Sequence, residues 1–195
     1  MGFGRYRLEG GPRMETMSRN AGQAALDLAA SGDARACYRI ALCYEQGNGL
    51  SQDPKAAFRW FHAAAAEGHA AAQFALSECY RNGLGTGADE ERATYWLGQA
   101  ALQHDPDALC TLGRQYYAGS AECLDVHRAY DCFSRAAAEG HTVAGYYLGL
   151  MYLHGRGVAQ DINMAEQWFT IAAEGGCAEA FAVLNTLRSA CEVSH

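Results

Sequence analysis

A single period runs through the chain. Tyrosines stand at Tyr44, Tyr80, Tyr116 and Tyr152, each 36 residues after the one before. Glycines keep the same step at Gly47, Gly83, Gly119 and Gly155, and aspartates at Asp53, Asp89, Asp125 and Asp161. Alanines keep it twice, at Ala36, Ala72, Ala108, Ala144 and Ala180 and at Ala57, Ala93, Ala129 and Ala165. Trp60, Trp96 and Trp168 share a further column, in which the third repeat has Cys132. A period held by so many columns imposes a repeat architecture, because each unit buries its apolar face only by stacking on its neighbours.

Each unit reads as two helices. Ala36, Ile40, Ala41 and Tyr44 mark one face at helical spacing, and Gly47 ends that helix. Glycine has no Cβ and can take the left-handed conformation that closes a helix C-terminus. After the loop Gly47-Asn48-Gly49-Leu50, Asp53 stands where an N-cap belongs, with Pro54 at the first helical position behind it. The second helix carries Ala57, Trp60, Phe61, Ala64 and Ala65 on one face and ends at Gly68. The column Ala41, Ser77, Gly113 and Gly149 is small throughout, which lets packed helices approach closely.

These residues resemble the Sel-1-like repeat family, relatives of the tetratricopeptide repeats. The fit is fullest over Leu148 to Val158, then Asp161, Ala165, Trp168, Ala172 and Ala173. The expected fold is therefore all-α: an α/α superhelical solenoid of about four 36-residue helix-turn-helix repeats with flanking capping helices. A leader over 1–13 precedes a single solenoid over 14–191, with repeats near 32–67, 68–103, 104–139 and 140–175 and capping helices at 14–31 and 176–191. Three positions depart from the pattern. Ala121 replaces a loop glycine, Cys132 replaces the tryptophan, and His104 stands where Gly68 and Gly140 are expected, which makes the third repeat the weakest.

The remaining residues exclude several kinds of chemistry. With 15 basic against 22 acidic residues the net charge is -7, the opposite of the basic stripe that neutralises phosphates, so no nucleic-acid partner is expected. No stretch approaches the roughly 20 apolar residues of a membrane span, and the start carries arginines without an apolar block behind them, so the expected location is the cytoplasm. The seven histidines show no ligand spacing and no C-x-x-C exists, so no metal or other cofactor is expected. The loop Gly83-Leu84-Gly85-Thr86-Gly87 joins two helices, whereas a dinucleotide cradle follows a strand. Of the eight cysteines only Cys43 and Cys79 share a column, and neighbouring helices about 8–10 Å apart are too far for a disulfide. Eight free thiols are expected. A secreted branch of the resembled family has paired cysteines and is credited with β-lactam binding, and this chain has no residues to carry that chemistry. No catalytic residues are assigned.

What remains is a surface. At about 100° per residue, each first helix has a second face, which related solenoids use to line a concave groove. By register the first repeat contributes Arg35, Tyr38, Leu42 and Glu45, and the second Ala71, Phe74, Glu78 and Arg81. The third contributes Asp107, Cys110, Arg114 and Tyr117, and the fourth Val143, Tyr146, Leu150 and Leu153. Tyr38, Phe74 and Tyr146 form a row there, and aromatic residues beside arginines favour protein contacts. The competing explanation is that these rings pack between first helices. The expected role is a non-enzymatic bacterial adaptor or scaffold, monomeric, that binds a protein or peptide segment. The alternative within the same class is an immunity protein that neutralises a toxin.

Overall fold

The computed structural model describes residues 33–119 and 125–192. The expected helix over 14–31, Ala121 and Cys123 lie outside the described residues. Among the described residues all regular structure is helical. The first repeat holds α1 (Ala34–Gln46) and α2 (Pro54–Ala66), and the second holds α3 (Ala70–Asn82) and α4 (Glu90–Leu102). The third holds α5 (Pro106–Ala118) and α6 (Val126–Ala138), the fourth α7 (Thr142–His154) and α8 (Ile162–Glu174), and α9 (Ala178–Glu192) follows. The chain forms two compact units, one through Thr94 and the other from Tyr95. It is an all-α helical-repeat solenoid.

The periodic columns have backbone causes. In every repeat the N–H of the column aspartate donates to the carbonyl of the column tyrosine: Asp53 to Tyr44 at 3.0 Å, Asp89 to Tyr80 at 2.8 Å, Asp125 to Tyr116 at 3.2 Å and Asp161 to Tyr152 at 3.0 Å. The aspartate carboxylates then cap the second helices, accepting for example from the N–H of Lys55 and Ala56 and from that of Met164. Such a cap contributes about 1 kcal/mol. One residue thus closes the loop with its backbone and starts the next helix with its side chain. Gly47, Gly83 and Gly155 are left-handed, with φ of 74°, 69° and 63°, and end α1, α3 and α7. Gly119 ends α5 with φ -59° instead, next to the loop of the third repeat.

The small column faces rings. A Cβ placed on Gly149 would come within 2.6 Å of Phe169, and one on Gly113 within 2.6 Å of Phe133. Both phenylalanines are fully buried, so first and second helices meet at these points without room for a methyl group. At the other ends of the helices tyrosines pair: Tyr80 meets Phe58 edge-on at 5.3 Å, and Tyr130 meets Tyr152 at 6.2 Å with hydroxyls 3.0 Å apart. That hydrogen bond, with burial behind it, pushes the Tyr152 phenol up to about 12.

His104 departs from its glycine column as the sequence indicated. It is left-handed at φ 62°, like Gly68 at 84°, Gly140 at 82° and Gly176 at 93°. A left-handed side chain costs about 1–2 kcal/mol, and glycine returns part of the gain through unfolded-state entropy. His104→Gly is expected to raise stability by up to about 1 kcal/mol, read as a higher urea midpoint; a lower midpoint would mean that the contact of its Nδ1 with Arg135, at 2.7 Å, outweighs the strain.

Candidate partner-binding face

The first-helix face is built separately in each unit. In the first unit Arg35 is exposed, and Tyr38 and Leu42 are half-buried on α1. The Tyr38 ring stacks on His69 at 4.7 Å and tilts against the fully buried Phe61 at 5.9 Å. One repeat further along the chain, α3 presents Phe74, Glu78 and Arg81, all half-buried. Glu78 and Arg81 form an ion pair, and the second guanidinium nitrogen of Arg81, Nη2, is buried without an acceptor among the described residues. Such a donor costs about 1–3 kcal/mol if nothing accepts from it.

In the second unit Asp107, Arg114 and Val143 are exposed, and Tyr117, Tyr146, Leu150 and Leu153 are half-buried. Tyr146 repeats the arrangement of Tyr38: it tilts against the fully buried Phe169 at 5.9 Å. Burial pushes its phenol up. Leu150 and Leu153 pack on the same core cluster and present only their outer edges. Cys110 does not belong to this face. It is 4% exposed.

Several contributors have no simple sequence signal. Tyr147 stands in a column otherwise held by Arg39, Ala75 and Thr111. Its ring stacks on Phe133 at 4.8 Å and meets Tyr117 at 5.7 Å and Tyr146 at 5.5 Å, joining them into one cluster. Arg156 lays its guanidinium over Tyr117 at 4.1 Å and donates to the Tyr117 carbonyl at 3.2 Å. His69 and His141 are N-caps: their Nδ1 atoms accept from the N–H of Ala72 and Ala144, both at 3.2 Å. Nε2 of His141 also reaches Asp107, at 3.2 Å.

Among the described residues no three His, Cys, Asp or Glu side chains converge as metal ligands, and no helix is long and apolar enough to cross a membrane. The six described cysteines are free. Burial pushes the thiols of Cys79 and Cys110 up to about 11. At pH 8 they stay protonated and shielded, so in native protein they are expected to resist alkylation that denatured protein permits at once. Prompt labelling of either one in the native state, followed by peptide mass spectrometry, would contradict that placement.

The model of the Sel1 repeat matches four times, over residues 34–69, 70–105, 106–141 and 143–177. No curated protein matches the chain. Among solved structures, a Sel1 repeat protein from Oxalobacter formigenes is 32% identical with a TM-score of 0.79, covering 87% of this chain and 49% of its own. A protective antigen of uropathogenic Escherichia coli with an SLR fold is 33% identical at TM-score 0.72, covering 82% of this chain and 34% of its own. This chain therefore spans about half the length of the first and a third of the second. An immunity protein from Pseudomonas aeruginosa shares the fold at 19% identity and TM-score 0.58, covering 90% of this chain and 70% of its own. With four matched repeats over most of its length, the chain belongs to the Sel1 repeat family.

Proposed function

We propose that the chain is a protein-interaction scaffold whose partner, a protein or peptide segment, is held on the first-helix faces of α1, α3, α5 and α7. Sel1 repeat proteins in general serve as such scaffolds and not as catalysts. One observation carries the reading to this face. Tyr38 and Tyr146 each rest on a fully buried phenylalanine and keep part of the ring uncovered. Rings fixed in this way lose little freedom on binding and serve as anchors. The test is quantitative capture from the native host with the wild-type chain and with Arg114→Glu/Val143→Asp. A partner retained by the wild type and lost by the variant, at equal melting temperature, supports the face; equal retention of every partner refutes it.

The same face would serve a second role, neutralising a toxin; the Pseudomonas protein of the same fold is described as an immunity protein. Co-expression with the product of a neighbouring toxic gene tests it. Rescue of growth by the wild type, lost in the face variant, is the expected outcome for that role.

A further inference from the structure

The tryptophan column leaves one slot without its ring. Where the fourth repeat has Trp168 the third has Cys132, and there a cavity of ≈510 Å³ opens between α4, α5 and α6 within the second unit. Leu102, Leu109, Leu112, Tyr116 and Cys132 give it apolar walls. The fourth repeat shows what the equivalent space holds: a Cβ on Gly145 would lie 3.7 Å from the Trp168 ring. The residue equivalent to Gly145 is Leu109, 2% exposed, which refills part of the vacated volume and leaves the rest open.

The rim differs from the fourth repeat as well. Arg128, Asp131 and Arg135 line the cavity where Met164, Gln167 and Ile171 hold the equivalent columns. Arg128 is already paired with Asp125 at 3.2 Å and lies over the Tyr116 ring at 5.8 Å. Arg135 meets the ring nitrogen of His104 at 2.7 Å, which holds its guanidinium beside the opening. Apolar walls, a slot that lacks its ring and a cation at the rim together define the occupant.

We infer that this cavity is a binding site for a small aromatic carboxylate: a flat body of about two fused rings in the vacated tryptophan slot, with its carboxylate on Arg135. Cavities of this volume hold such ligands, and a guanidinium pairs a carboxylate through two parallel hydrogen bonds. The site is independent of the partner-binding face.

The experiment uses the full chain, with 2-naphthylacetate and its neutral amide as probes, followed by calorimetric titration. The acid is expected to bind saturably and at least tenfold more tightly than the amide. Arg135→Gln should remove that preference and leave the affinity for the amide unchanged. Cys132→Trp should abolish binding of both. Leu109→Gly/Cys132→Trp, which recreates the pair of the fourth repeat, should do the same if the single change is too crowded to fold. A readout that needs no variant is alkylation of Cys132, whose thiol burial pushes up while Arg135 and Arg128 draw it down. Saturating acid should slow it at least tenfold and leave Cys43 unchanged. No saturable binding, equal affinity for acid and amide, or an unprotected Cys132 each overturns the assignment.

Discussion

Phe169→Ala is expected to remove about 3–5 kcal/mol of stability, the cost of truncating a buried aromatic ring. Total stabilities run to about 5–15 kcal/mol, so the variant should unfold at a markedly lower urea concentration. The reason lies in the geometry: the ring is fully buried, closes on Gly149 and supports Tyr146 from below. Gly149→Ala attacks the contact from the other side by forcing a methyl group into 2.6 Å, and overpacking costs about 1–3 kcal/mol. Trp168, partly exposed, should lose less than Phe169, and Cys132→Ala least of all, since the third repeat already lacks the ring. Equal midpoints for Trp168→Ala and Cys132→Ala would show that their column is not a packing column.

The second large effect concerns binding. Phe74→Ala/Tyr146→Ala should weaken a partner at least thirtyfold, because central aromatic anchors cost about 2 kcal/mol or more on truncation. Tyr146 also covers Phe169, so this variant should melt somewhat lower. The exposed pair Arg114→Glu/Val143→Asp separates the two effects, as neither side chain is buried. It should weaken binding with the melt unchanged, and the charge reversal should appear chiefly in association rate and salt dependence. Undiminished affinity in both variants would place the partner on another face.

The sequence carried the fold far and the site less far, for different physical reasons. A 36-residue step preserved across tyrosine, glycine and aspartate columns was legible because each position has its own steric or capping demand. The bond that joins the tyrosine and aspartate columns was not, since a backbone amide meeting a backbone carbonyl leaves no side-chain signature. The small column announced close approach, while its partners Phe133 and Phe169 emerged only in three dimensions. Histidine lies outside the usual capping residues, so the roles of His69 and His141 were hidden. A single helix projected as a wheel placed Cys110 on the outer face because a wheel omits every neighbouring element, and the thiol is buried. Tyr147 and Arg156 complete the aromatic cluster from positions that no column marks.

The amide-to-carbonyl closure between the aspartate and tyrosine columns begins and ends inside one repeat. Among the described residues these four closing bonds call on no distant segment, and stability in such an array is a sum of local units and their nearest-neighbour interfaces. A recombination that copies or removes 36 residues therefore carries every closing bond with it. Arrays of this kind can change length by whole repeats without inventing a new core, and their reach toward a partner becomes a matter of copy number.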